Sequence, residues 1–147
     1  MNNKINLNRK KLFEKQCKQN HLRITPQRSV IFQSLTDSPD HPTADMIYQQ
    51  VKKQFPNISF DTVNRTLITF AEIGLVNLVE GYGESRRFEP NLNQHHHFRC
   101  IKCHKIIDFQ DDDLNSIKIP ENIKSKFKIL NQRVVLEGLC DQCCLKN

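Results

Sequence analysis

Between residues 25 and 74 the apolar positions recur every three or four residues, and beyond residue 75 they gather into short extended runs. The first rhythm is that of helices with one buried face, the second that of strands. Leu12, Phe13 and Cys17 make a weaker helical stripe near residues 9–20. Thr25-Pro26 then predicts a helix start: an N-cap, followed by proline at the first helical position, where its missing N–H costs nothing. That helix holds Val30, Ile31 and Leu35 and fades before Ser38-Pro39. Thr43 caps a second, with Ala44, Ile47, Val51 and Phe55 along one face and Pro56 as its stop. Ser59 opens a third, in which Phe60, Val63, Leu67 and Phe70 recur toward a core and Gly74 supplies the end.

Residues 75–79, a turn at Gly81-Tyr82-Gly83 and residues 85–88 read as a hairpin. Three short helices followed by a hairpin is the layout of a winged helix-turn-helix domain, placed at residues 1–88. A polar link over 89–94 is the hinge. The remainder, 95–147, has strand-like stretches at 97–101, 105–110 and 127–139 and a weak helix around 112–126. The predicted class is therefore α+β. So short a second domain buries little core unaided, so a metal staple or a partner subunit is expected there. Asp111-Asp112-Asp113 is most simply a solvated turn or a helix start.

Charge sharpens this picture. The whole chain carries +6, yet Lys4, Arg9, Lys10, Lys11, Lys15, Lys18, Arg23 and Arg28 face only Glu14 within residues 1–28. A basic N-terminal segment on a near-neutral body suggests a polyanionic partner such as nucleic acid; a solvated basic helix is the plainer alternative. No apolar run follows the N-terminal lysines and none approaches membrane-spanning length, so a soluble, cytoplasmic protein without membrane contact is expected.

The cysteines add chemistry. Cys100-Ile-Lys-Cys103 and Cys140-Asp-Gln-Cys143 are two C-x-x-C pairs, and four thiolates at that spacing can close a tetrahedral zinc site. Disulfides are the alternative, but nothing in the chain points to an oxidising compartment. Cys17 and Cys144 have no partner at useful spacing. His95-His96-His97 lies just ahead of Cys100. In an extended chain His95 and His97 share a face while His96 points away. His41, Glu89 and Asp108 are further nitrogen and oxygen ligands that spacing alone does not bring together. On residue chemistry alone, a surface histidine cluster without a ligand role is an equal reading.

In a helix-turn-helix unit the second helix enters the major groove. Here that helix covers residues 59–73 and leaves Asp61, Thr62, Asn64, Arg65 and Thr69 on its polar side. Arg65 suits a guanine or a phosphate, and Asn64 suits adenine. N-terminal cations such as Arg23 and Arg28, with Arg86 and Arg87 on the hairpin, suit phosphates.

His41-Pro-Thr-Ala44, Ser59-Phe-Asp-Thr-Val-Asn-Arg-Thr-Leu67, Arg87-Phe-Glu89, His95-His-His-Phe-Arg-Cys100-Ile-Lys-Cys103, Ile107-Asp-Phe109 and Gly138-Leu-Cys-Asp-Gln-Cys143 together resemble the ferric uptake regulator family, collinearly from about residue 20 to 144. The resemblance implies a dimeric, metal-dependent repressor of double-stranded operator DNA, built from a winged helix, a hinge and an α/β dimerisation domain. It implies structural Zn²⁺ at Cys100, Cys103, Cys140 and Cys143. It further implies regulatory Fe²⁺ or Mn²⁺ at His41, Glu89, His95, His97 and Asp108, and DNA contacts from Arg23, Arg28, Thr62, Asn64, Arg65 and Arg86.

Departures from the family pattern refine it. Asn64 stands where many members have tyrosine, and a third metal site would fall near Asn115 and Gln132, which are poor ligands. No cysteine occupies the regulatory set, which argues against zinc sensing. Glu89 matches the iron-sensing branch and Asp108 the peroxide-sensing one; iron-responsive repression is the leading expectation, with peroxide sensing through oxidation of His41 or His95 as the alternative. Two other classes are weighed. A hydrolase needs an open metal position and a free base, which five ligands leave little room for, and a zinc-module adaptor would bind protein rather than a DNA site.

Overall fold

Three hydroxyl side chains start the three helices that carry the first core. Thr25 Oγ1 accepts from the Arg28 amide at 3.3 Å, Thr43 Oγ1 from Met46 at 3.3 Å, and Ser59 Oγ from Thr62 at 3.1 Å. Each satisfies an amide that the first helical turn leaves without an internal acceptor. The computed structural model describes residues 2–39, 41–79 and 85–146, with side chains from residue 7 onward. The chain divides into two compact units, Met1–Leu92 and Asn93–Asn147.

The first unit runs α1 (Asn2–Gln19), α2 (Pro26–Asp37), α3 (Ala44–Val51), α4 (Phe60–Glu72), β1 (Asn77–Val79) and β2 (Arg87–Glu89). Its core joins Phe13 and Cys17 of α1 to Ile31, Phe32 and Leu35 of α2, Ile47 and Val51 of α3, and Val63, Leu67 and Phe70 of α4. Phe13 stacks on Phe32 at 4.9 Å, and Phe70 meets both rings edge-on at 5.9 and 6.0 Å. Arg9 of α1 also donates to the Thr36 carbonyl near the end of α2, at 2.9 Å.

Helix α4 ends in a Schellman turn. Gly74 takes φ +72°, its amide bonds Ala71 O at 3.1 Å, and the Leu75 amide bonds Phe70 O at 2.8 Å. Glycine enters this left-handed region without a Cβ penalty. Leu75 and Val76 are buried directly after it and lead into an antiparallel ribbon, with Leu78 opposite Phe88 and Asn77 opposite Glu89. The Gly81–Gly83 turn expected from the sequence lies outside the described residues.

Two expectations are corrected in this unit. Phe60, placed in the core by its spacing, is 45% exposed. It is the first helical residue, ahead of the buried stripe, and packs edge-on against Tyr48 at 5.8 Å. The third helix also stops at Val51 rather than running to Phe55; Phe55 follows in a turn and still packs on the core.

The second unit is a three-stranded sheet in the order β4 (Ile106–Phe109), β3 (His96–Cys100), β5 (Val135–Gly138), with β3 antiparallel to β4 and parallel to β5. The stretch expected to be one helix gives two single turns, α5 (Asp112–Asn115) and α6 (Glu121–Lys124), and α7 (Asp141–Cys144) closes the unit. Pro120 is the reason for the break. It stands at the N-cap of α6, and proline disfavours helix in the residue before it. Of the strand expected over 127–139, only Val135–Gly138 pair. Cys100, Cys140 and Cys143 form the buried cluster, with Phe98 and Leu139 against it, while Phe127, Leu130, Val135 and Leu136 are exposed within the single chain. Among the described residues, no helix is long and apolar enough to cross a membrane.

Truncating Phe70 to alanine is expected to destabilise the first unit by about 3–5 kcal/mol, and Phe60→Ala by no more than about 1.5 kcal/mol. Urea unfolding followed by circular dichroism separates the two; equal losses would return Phe60 to the core.

Candidate metal centres and nucleic-acid face

Two tight turns build the cysteine cluster. The His104 amide bonds Cys100 O at 3.0 Å and the Cys100 amide bonds Lys105 O at 2.9 Å, folding the first pair back on itself, with His104 in the left-handed region at φ 63°. The second pair occupies α7, where the Cys144 amide bonds Cys140 O at 2.9 Å. Parallel pairing brings Gly138 beside Cys100, which carries Cys140 to the first pair.

All four sulfurs lie within 4.8 Å of one another, and Cys103 Sγ is 3.7 Å from Cys140 Sγ. A tetrahedron with Zn–S bonds of about 2.3 Å has edges of about 3.8 Å, so the cluster fits zinc. Its electrostatics agree. Amide N–H groups of Cys103 and Cys140 aim at Cys100, the latter at 3.4 Å, and pull its thiol down to about 6 against burial. Burial first, then hydrogen bonding with Cys140, Cys103 and Cys100, pushes Cys143 up to about 12. One thiolate is therefore favoured and a second disfavoured, which is the state a divalent cation resolves. Cys144 is outside the cluster; its thiol faces Leu139 O at 3.6 Å. Cys17 is buried in the first core, where burial raises its thiol above the ordinary value.

The histidine run sits at the start of β3. His95 donates Nδ1–H to Asn93 O at 2.6 Å, which turns its Nε2 to the side away from that carbonyl. That Nε2 is 3.1 Å from His97 Nε2. Register places Asp108 of β4 directly across from His97, and its Oδ1 lies 3.2 Å from His97 Nε2 and 3.7 Å from His95 Nε2. His96 turns elsewhere, accepting the Val134 amide on Nδ1 at 3.1 Å. Ligand atoms about 3 Å apart are what an ion bonded at about 2.1 Å requires of neighbouring ligands, and the two imidazoles are almost wholly buried.

The first unit holds a matching pair. His41 Nε2 is 2.9 Å from Glu89 Oε1, and both residues are buried. The chain around His41 is zipped to β2: the Phe88 amide bonds Pro42 O at 2.9 Å, Arg87 Nη1 bonds His41 O at 2.8 Å, and Thr43 bridges Arg87. Arg87 thus positions His41, a role its basic character alone did not indicate. The Gln132 side-chain amide donates to Ile117 O at 3.1 Å and to Leu114 O at 3.5 Å.

The candidate DNA contacts cluster in part. Asn64 and Arg86 line one groove of about 430 Å³ with Thr43, Asp45, Phe60 and Ser85, between the starts of α3 and α4 and the β2 end of the hairpin. Thr62 is held within its own helix turn, its Oγ1 at 2.9 Å from Ser59 Oγ. Arg23 on the loop into α2 and Arg28 in that helix's first turn stand together, Arg28 Nη1 donating to Arg23 O at 2.5 Å. Arg65 is exposed and pairs with Asp61 at 3.0 Å, a partner that its i, i+4 spacing on one helix face makes available.

With this geometry in place, known proteins supply the context. The model of the ferric uptake regulator family matches residues 19–137. The peroxide-responsive repressor PerR of Staphylococcus aureus is 40% identical over 122 residues, covering 83% of this chain and 82% of that protein. Among solved structures, the Helicobacter pylori ferric uptake regulator, described with three functional metal-binding sites, shares the fold at TM-score 0.76 and 23% identity, over 92% of this chain and 93% of that one. PerR of Streptococcus pyogenes, described for peroxide sensing and gene regulation, aligns at TM-score 0.51 and 28% identity, over 89% of this chain and 90% of that one. The chain belongs to the ferric uptake regulator family.

Proposed function

We propose that this chain is a metal-dependent, DNA-binding transcriptional repressor, a homodimer that closes onto palindromic operators when Fe²⁺ or Mn²⁺ fills its regulatory site. The carrying observation is that each unit holds its own close group of metal-type donors: His41 and Glu89 in the first, His95, His97 and Asp108 in the second. His41 is tied to the hairpin of the reading unit, and His97 and Asp108 to the sheet of the other. Ligands so divided can hold the two units in one placement only while an ion joins them. A bound divalent cation would supply the positive charge that lets three imidazoles and two carboxylates gather at one point. Moving such a switch from about 1:99 to about 99:1 needs roughly 5.5 kcal/mol of preference for the closed state, within reach of five ligands.

Imidazole and carboxylate donors suit Fe²⁺ or Mn²⁺ better than thiolates do, and the cysteine cluster takes Zn²⁺. A second copy suits the apolar residues that the second unit leaves in solvent, with Leu130 at 84% and Phe127 at 60% exposure. Thr62, Asn64 and Arg65 of α4 meet base edges in this reading, while Arg23, Arg28 and Arg86 bind phosphates. The family's description as a regulator favours this over catalysis.

A second reading has its own support. The Staphylococcus aureus relative is named for its response to peroxide. In that reading His41 or His95 gains an oxygen atom when Fe²⁺-loaded protein meets peroxide, the ligand set fails, and the operator is released.

In gel shifts, Mn²⁺ is expected to switch operator binding on and a chelator to switch it off; metal-independent binding of equal strength would sink the switch. Cys100→Ser or Cys140→Ser should unfold or monomerise the second unit, because structural zinc contributes folding free energy directly. His97→Ala should leave the dimer intact on size exclusion yet lose metal-activated binding. If both variants fail alike, the division into structural and regulatory metals is wrong. Mass spectrometry of the Fe²⁺-loaded protein after dilute peroxide separates the two signals: a gain of about 16 Da on His41 or His95 selects peroxide sensing, and unmodified histidines select iron.

A further inference from the structure

Asp61 is the second residue of α4, on the side turned away from Val63, Leu67 and Phe70. Its Oδ2 accepts from Arg65 Nε, one turn further on, at 3.0 Å, and the two side chains are 67% and 79% exposed. A carboxylate on a surface that must approach a polyanion is repelled by every phosphate it nears. The helix N-terminus tolerates it, but Ser59 already caps the Thr62 amide, so the helix end has a partner without Asp61.

The informative detail is which nitrogen the carboxylate holds. A guanidinium offers five N–H donors in a rigid fork. With Nε engaged, the outer edge formed by Nη1 and Nη2 keeps its full donor set, and among the described residues it makes no hydrogen bond or ion pair. That edge matches O6 and N7 of guanine. A phosphate can accept from it too, but brings a second anion close to the Asp61 carboxylate. The guanine edge is uncharged and carries no such repulsion. Fixing Nε also removes side-chain freedom that binding would otherwise have to remove.

We propose that Asp61 is a specificity-determining positioning residue of the reading helix, holding Arg65 by Nε so that Nη1 and Nη2 meet a guanine edge rather than a phosphate. This rests on the DNA-binding reading above. The free surface pair that it uses makes variants at Asp61 compatible with the fold, and circular dichroism checks this.

The test starts by selecting duplexes from a randomised pool with the Mn²⁺-loaded protein. Affinities of the unaltered protein, Asp61→Ala and Asp61→Asn are then measured by fluorescence anisotropy on the selected duplex and on a scrambled one. Both variants are expected to lose about tenfold on the selected duplex while holding or gaining affinity on the scrambled one. Pools selected by the variants should lose preference for one guanine per half-site. Replacing that guanine with 7-deazaguanine should weaken the unaltered protein and leave the variants unmoved. Variants that bind both duplexes more tightly and select the same sequence would overturn the proposal, making Asp61 a mere brake on a phosphate contact; unchanged specificity would overturn it equally. If the unaltered protein enriches no sequence at all, the DNA-binding reading itself falls, a result distinct from any variant effect.

Discussion

Four sulfurs within 4.8 Å are the constraint on which the second unit rests. Few apolar side chains are buried there: Phe98 and Leu139 pack on the cysteines, and the cysteines are the centre. A module of this size gains little from burial alone, so an ion held by the four cysteines would stand in for the missing core. Position makes it more than a staple. Cys100 closes β3 three residues beyond His97, and Asp108 is fixed opposite His97 by strand register. Anchoring Cys100 therefore anchors the imidazoles and the carboxylate that face one another upstream. The two candidate metal centres share one strand, and the orientation of the second is inherited from the first.

The reading unit is organised on a different principle. Its helices are held by an ordinary apolar core with an aromatic trio at the centre, and its polar chemistry is confined to helix starts and the hairpin. Caps at Thr25, Thr43 and Ser59 set where each helix begins, so they also set which side chains stand on the outer face of α4. The zipper from His41 and Pro42 onto Arg87 and Phe88 then fixes an imidazole beside Glu89. A core that ignores metal thus sets two metal-type donors side by side.

Much of this was legible in the residues. Hydroxyl caps, proline at a first helical position and glycine after a last one are local devices, and each helix began or ended where they stand. The alternation of a strand predicted that His95 and His97 share a side and His96 does not, and the strand formed. Phe60 failed as a core residue because periodicity counts spacing but not the helix end, where the first residue has no packed neighbour on one side. The 127–139 stretch pairs only over Val135–Gly138, because the apolar residues ahead of it, Phe127, Ile129 and Leu130, stand exposed and outside the ladder. What spacing cannot supply is contact across the chain: Arg87 reaching His41 and Gln132 reaching the Ile117 carbonyl both depend on the tertiary path.

The Schellman turn at Gly74 has a bearing on how such a protein diversifies. Because Phe70, Leu75 and Val76 are buried on either side of it, helix and hairpin meet in a rigid elbow rather than a flexible joint. Amino acids on the helix's outer surface can then be exchanged while the elbow keeps the hairpin, and Glu89 opposite Asn77, in register. The outer face of α4 and the His41–Glu89 pair can in this way change independently within the one unit Met1–Leu92.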